Sequence, residues 1–101
     1  MRVITIGTLR RFWEKHSESE APLKDWYAKT EMARWRNPAD VKATFPQVDS
    51  VKVRSGNNVF VFNITRAYRL IAAIHFDFPR VFVLRILNHR QYDRGRWKEE
   101  L

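Results

Sequence analysis

The chain has 101 residues, of which 45% are hydrophobic and 14% aromatic, and it carries a formal net charge of +8. This length excludes two large domains, a β/α barrel and a classical dinucleotide-binding fold, and the apolar content excludes a disordered tail. Because the sequence contains no cysteine, it also excludes disulfides, thiolate metal sites and thiol nucleophiles, and we expect one folded domain over residues 1–101.

The chain begins with a predicted strand followed by a predicted helix. The strand is Val3–Ile6, a short run rich in β-branched residues. Thr8 can cap the helix that follows, because its hydroxyl can accept a hydrogen bond from a free backbone N–H in the first turn. The apolar face of this helix repeats at helical spacing and comprises Leu9, Phe12, Trp13 and His16.

Two further helices are predicted before the chain changes its periodicity. The first begins at Ser19 or Glu20, since Pro22 is tolerated in a first turn. Asn37 and Pro38 indicate the cap and first residue of a short helix that ends before Pro46. The buried stripe of the longer helix is expected to contain Leu23, Trp26, Tyr27 and Trp35, with Ala33 near it.

The second half of the chain has the alternation and turn residues of antiparallel strands. Helices that precede consecutive hairpins indicate an α+β fold, with an N-terminal strand and two to three helices packed on one face of a mainly antiparallel sheet. The tail from Asn88 to Leu101 is polar and has room for one or two helical turns. The predicted strands are Val51–Arg54, Val59–Ile64, Tyr68–Phe76 and Val81–Leu87.

Alternation sorts the strand residues onto the two faces of the predicted sheet. The Leu70 set (Leu70, Ala72, Ile74 and Phe76) and the Phe82 set (Phe82, Leu84 and Ile86) are expected to pack on the helices. Arg69, Arg85 and His89 would then lie together on the face without helices. Lys52 and Arg54 share a parity and could join them.

The positive charge is concentrated in the second half of the chain. Residues 1–50 have a balance of +2, whereas residues 51–101 have a balance of +6, and eight of their ten basic side chains are arginine. The planar guanidinium group suits phosphate oxygens, so this asymmetry favours a nucleic-acid partner. A merely soluble basic protein, or one neutralised by an acidic partner protein, would have the same composition.

A histidine and a tyrosine follow the last predicted strand. His89 and Tyr92 are three residues apart, so they share one face if this segment is helical. Cleavage of RNA without a metal needs a proton acceptor, a proton donor and cations near the phosphate. Imidazole exchanges protons near neutral pH, and a tyrosine can donate a proton or stack on an unpaired base. A capping histidine and a tyrosine packed on the sheet edge are the structural alternatives.

Three segments give the sequence a family resemblance. Val59–Ile64, Tyr68–Ile71 and Asn88–Asp93 resemble the HigB toxins of the RelE/ParE superfamily of bacterial type II toxin–antitoxin systems, and Asn37–Phe45 is similar to the helix and loop of that family. The resemblance extends from about Ile4 to Asp93. Two positions depart from the family pattern: Thr65-Arg66-Ala67 replaces a Gly-Asn hairpin, and Asn88 replaces a threonine.

The resemblance implies a metal-independent, ribosome-dependent mRNA endonuclease (an mRNA interferase) that needs no cofactor. Such a toxin enters the ribosomal A site, and a HigA-type antitoxin with a helix-turn-helix domain silences it. By position, Arg69 would stabilise the scissile phosphate, while His89 and Tyr92 would be candidates for proton transfer and base stacking. The residues expected to bind message or ribosomal RNA are Lys52, Arg54, Arg66, Arg85, Arg90, Arg94, Arg96 and Lys98.

Two other functions remain open from the sequence. A ParE-like toxin would share the fold but inhibit DNA gyrase, and the His89 and Tyr92 pair argues against it. A non-catalytic module that binds RNA or an antitoxin would need neither side chain for chemistry. No apolar run reaches the length of a membrane span and no secretory signal peptide is visible, so we expect a cytoplasmic protein.

Overall fold

The computed structural model describes residues 1–101 and contains five strands in one sheet, in the order β1-β5-β4-β3-β2. β1 pairs with β5 in parallel, and the other neighbours are antiparallel, which confirms the predicted α+β class. The longest helix has 13 residues, and no helix has the length and apolar character needed to cross a bilayer. In chain order the elements are β1 (Arg2–Val3), α1 (Ile6–Lys15), α2 (Glu20–Met32), α3 (Pro38–Thr44), β2 (Asp49–Lys52), β3 (Asn58–Asn63), β4 (Tyr68–His75), β5 (Arg80–Asn88), α4 (His89–Arg94) and α5 (Arg96–Glu100).

The N-terminal strand is shorter than the sequence predicts, and the first helix begins earlier. β1 contains only Arg2 and Val3, and Thr5, rather than Thr8, precedes α1. The Thr5 hydroxyl makes no cap and instead accepts a hydrogen bond from Val83 N at 2.7 Å. This contact fixes the start of α1 against β5.

The next two helices agree with their predicted start signals. α2 begins at Glu20 with Pro22 in its first turn. It ends at Met32, so Trp35 lies beyond the helix and not on its stripe, although Trp35 is still buried. The Asn37 side chain caps α3 by accepting a hydrogen bond from Asp40 N at 3.0 Å.

The main core lies between the first three helices and one face of the sheet. Leu70 and Ala72 of β4 face this core, as predicted. In β5, however, Val81 and Val83 occupy the core, and the prediction that Phe82 and Leu84 do so is wrong. The register shifts between the pairs Ile71–Arg85 and Ala72–Val83, so one extra residue reverses the alternation before Arg85.

The other face of the sheet is partly covered, which corrects the expectation of a face without helices. α4 and α5 fold back over it, and the Trp97 side chain is buried against Val59, Val61 and Ile71. The Trp97 indole N–H donates to Tyr92 O at 3.1 Å, which satisfies the buried polar group. The tail therefore forms a second, smaller core, and its first helix lies beside the ends of β4 and β5.

Candidate active site

Arg69, His89 and Tyr92 meet where β4 begins and β5 ends. Tyr68 pairs with Asn88 in the sheet, and α4 starts at the next residue, so strand pairing brings Arg69 beside His89. Arg69 Nη2 lies 3.2 Å from His89 Nε2, and Arg69 Cζ lies 6.0 Å from the centroid of the Tyr92 ring. The structure thus brings together the three residues that the sequence singles out.

The Arg69 guanidinium is held in place by the main chain. Its Nη1 donates to Thr65 O at 3.1 Å and to Tyr68 O at 3.3 Å. The side chain is half-buried, while His89 is exposed. Because two carbonyls already fix its direction, Arg69 presents a positioned cation to an incoming anion and loses little rotamer freedom on binding.

The contact with Arg69 determines the hydrogen-bonding roles of His89. A guanidinium can only donate, so His89 Nε2 is the acceptor in this contact. Nδ1 faces Asp93 Oδ2 at 3.8 Å, within the same helix. The contact therefore directs His89 Nε2 toward the Arg69 cation.

α4 has only six residues, and hydrogen bonds fix its start. Asn88 Oδ1 accepts from Gln91 N at 2.8 Å, and Gln91 Oε1 accepts from Asn88 N at 3.0 Å, which forms a reciprocal capping box. Asn88 thus provides the polar cap of this helix. At the other end Gly95 has a φ of 73°, a conformation that favours glycine.

The Tyr92 ring packs on the small core and not in open solvent. It stacks on Trp97 with a centroid distance of 5.4 Å and an interplanar angle of 17°. Since Arg69 also lies over this ring, both groups compete with a base for its surface. The packing leaves Tyr92 better suited to orient Arg69 or to offer its hydroxyl than to serve as a stacking platform.

A second polar cluster, which the sequence does not indicate, joins the helical layer to the start of β4. The Tyr68 hydroxyl donates to the Glu18 carboxylate and lies 3.3 Å from His16 Nδ1. The hydrogen bond from Tyr68 holds the pKa of Glu18 below its usual value of 4.5, and the same bond raises the pKa of Tyr68 above 10.0. Fifty residues separate the two partners, so no local pattern could predict the pair.

Two of the other predicted RNA-binding residues lie close to this centre. Arg66 and Arg69 line a shallow pocket of about 280 Å³ at the hairpin between β3 and β4. Arg85 lies on the face of α5, where its Nη2 is 3.8 Å from Glu100 Oε1 and its Nη1 donates to Leu84 O at 2.8 Å. The exposed basic residues of α4 and α5 are Arg90, Arg94, Arg96 and Lys98.

Lys52 and Arg54 do not join Arg69 as expected. Lys52 pairs with Asn58 at the far end of the edge strand, and alternation places it on the opposite face from its buried neighbour Val53. Arg54 lies in the turn after β2, and its backbone N donates to Lys98 O at 2.9 Å. No contact therefore joins Lys52 or Arg54 to Arg69. No three His, Asp or Glu side chains converge as a metal site would require.

Three helices on one face of a five-stranded, mainly antiparallel sheet are consistent with a RelE-like fold. A family model for HigB toxins, described as the RelE-like toxic component of a toxin–antitoxin system, matches residues 19–95. The chain belongs to this family.

Curated relatives with similar sequences cover nearly the whole chain. The mRNA interferase toxin HigB of Escherichia coli (strain K12) is 24% identical over 94 residues, which are 92% of this chain and 88% of the relative. The mRNA interferase HigB of Escherichia coli O6:H1 is 27% identical over 95 residues, covering 93% and 90% of the two chains. The mRNA interferase HigB of Shigella flexneri is 24% identical over 94 residues.

Proposed function

We propose that this toxin is a metal-independent endoribonuclease that cuts mRNA on the ribosome and so inhibits translation. The observation that carries the proposal is the 3.2 Å contact between Arg69 Nη2 and His89 Nε2. This contact between a guanidinium held by two carbonyls and an imidazole nitrogen, on a basic surface, supports the proposal. The names of the relatives, which are mRNA interferases, support the same reaction.

The geometry suits attack by the ribose 2′-hydroxyl on the adjacent phosphorus. The scissile phosphate would bind Arg69 Nη2 and release His89 Nε2, which would then take the 2′-hydroxyl proton. A 2′-O–P bond forms, the P–5′-O bond breaks, and a 2′,3′-cyclic phosphate and a 5′-hydroxyl result. Arg69 would stabilise the charge that develops on the phosphate oxygens.

The leaving 5′-oxygen also needs a proton. The Tyr92 hydroxyl is one donor within the site, and the protonated His89 or a ribosomal group are the others. The stacking of Tyr92 on Trp97 and its proximity to Arg69 support a role in proton donation or in orienting Arg69, in preference to base stacking.

The antitoxin of this system is proposed to be a HigA-type protein with a helix-turn-helix domain that represses the promoter of the pair together with the toxin. The other partners are the ribosomal A site and its mRNA, and the site of action is therefore the cytoplasm. The RNA contacts would come from two groups: Arg66, Arg85, Arg90, Arg94 and Arg96 near the catalytic centre, and Lys52, Arg54 and Lys98 beyond it.

A cell-free translation reaction tests the function. Purified toxin should stop protein synthesis, and primer extension should detect cut messages on ribosomes. Messages that stay intact, with full translation at saturating toxin, would contradict the proposal. A parallel supercoiling assay with gyrase should detect no inhibition, and inhibition there would favour the ParE-like alternative. Salt-sensitive RNA binding without cleavage would favour a non-catalytic module.

A further inference from the structure

A large groove lies at the end of the sheet opposite the candidate active site. It has a volume of about 880 Å³ and forms where β1, the end of α2 and the turn between β4 and β5 meet. Arg69 is the second of the eight residues of β4, so it lies roughly 20 Å along the strand from the end beside the groove. The catalytic proposal does not use this surface.

Three exposed apolar side chains lie within two residues of positions that line this groove. The large hydrophobic residues that are exposed in this chain are Ile4, Met32 and Phe78, with exposed fractions of 38%, 85% and 71%. Ile4 follows β1, Met32 lies between groove residues at the end of α2, and Phe78 precedes Pro79 in the lining turn. Exposed apolar groups collected at one place on a small protein indicate a surface that another molecule covers.

The groove is also basic, and its arginines have no acidic partners. Arg2, Arg34 and Arg36 line it, and none of them forms an ion pair. The one acidic residue in the lining is Glu31, whose Oε2 already accepts a hydrogen bond from Val3 N at 2.6 Å. Trp35 also borders the groove, although most of its side chain is buried in the main core. Arginine, methionine and aromatic residues are enriched in protein–protein interfaces.

We propose that this groove binds the antitoxin of the system, through a segment that carries acidic residues together with at least one apolar anchor. The inference rests on the proposed function only for the existence of that partner. Carboxylates would pair with the free guanidinium groups, and the apolar anchor would cover Met32 and Phe78. A nucleic-acid phosphate backbone would pair with the arginines but would not bury these exposed apolar groups. A symmetric contact between two copies of the chain would set the arginines against each other.

Calorimetry can measure the Kd of toxin variants for the antitoxin encoded beside the toxin gene. Comparing groove variants with a variant of the candidate active site shows which of the two surfaces binds it. Arg34→Glu and Phe78→Ser change exposed side chains and should leave the fold intact. Each should raise the Kd for the antitoxin at least about 10-fold, and the double variant about 100-fold, a loss near 2.8 kcal/mol. Lys42→Glu, an exposed charge reversal on α3, and His89→Ala should change the Kd less than about 3-fold.

Message cleavage by the free variants distinguishes this inference from the proposed function. Arg34→Glu and Phe78→Ser should cut messages as the wild type does, whereas His89→Ala should bind the antitoxin and not cut. An unchanged Kd for the double variant, or loss of antitoxin binding in His89→Ala, would overturn the groove assignment. So would loss of cleavage with intact antitoxin binding in the groove variants, or a wild-type dimer that these variants dissociate. A toxin that cuts no message but binds antitoxin through the groove would contradict the catalytic proposal alone.

Discussion

Replacing Arg69 with alanine is the substitution with the clearest expected effect. Nη1 of the guanidinium is fixed by Thr65 O and Tyr68 O, so in the proposed mechanism Nη2 exchanges His89 for the phosphate while the guanidinium keeps its position. Removing one such preorganised donor slows enzymes by about 10²- to 10³-fold, which corresponds to about 3–4 kcal/mol. We expect this loss in the single-turnover rate of message cleavage on ribosomes at saturating toxin. Lys98→Ala removes one exposed phosphate contact that salt screens, and should lower cleavage only a few-fold.

Two control variants make this comparison informative. Arg69→Lys keeps the charge, but an ammonium lacks the planar fork that lets a guanidinium bond to both carbonyls and to the phosphate at once. The cleavage rate of Arg69→Lys should therefore lie between those of Arg69→Ala and the wild type. Lys42→Ala, on the exposed side of α3, should cleave normally. Urea denaturation must give cooperative unfolding for each variant. Equal losses for Arg69→Ala and Lys98→Ala would refute the assignment of Arg69.

Three further predictions concern the supports of the site. Because the pKa of Glu18 is lowered in the folded state, this carboxylate stabilises the fold above its usual pKa of 4.5, and the stabilisation is lost as the pH falls through the folded-state pKa. The urea midpoint of Glu18→Gln should therefore depend less on pH in acid. Near neutral pH it should lie below the midpoint of the wild type. Asn88→Ala should destabilise α4 by about 1 kcal/mol and slow cleavage, whereas Asn88→Thr should keep the stability and the cleavage rate of the wild type. Thermal unfolding and cleavage assays measure the two quantities. Trp97→Ala should lower the free energy of unfolding by about 3–5 kcal/mol in urea titrations, and a loss below about 1 kcal/mol would contradict the second core.

Local signals were sufficient for the elements whose ends have strong side-chain chemistry. The cap at Asn37 and the early position of Pro22 gave the starts of two helices, and turn residues separated the strands. The start of α1 was missed because Thr5 bonds across to Val83, a contact that no local pattern contains. Tertiary contacts also decided the faces of β5, where the bulge beside Arg85 reversed the expected alternation.

The site was predictable only where strand pairing follows directly from the hairpin. Arg69 and His89 meet because β4 and β5 are consecutive antiparallel strands. The cover provided by Trp97 was not foreseen, since the polar tail gives little indication that one aromatic residue would fold back onto the sheet. The position of Lys52 was missed for a similar reason: parity within a strand says nothing about which end of the sheet the residue occupies.

The central claim is that Arg69 and His89 hold a ribose–phosphate linkage for attack by its own 2′-hydroxyl. The most direct test is the single-turnover cleavage of a ribosome-bound message that carries a 2′-deoxyribose at the scissile nucleotide. We expect rapid cutting of the all-ribose message to a 2′,3′-cyclic phosphate, and no cutting of the deoxy-substituted message or of either message by His89→Ala. Cleavage of the deoxy-substituted message at the normal rate would contradict it.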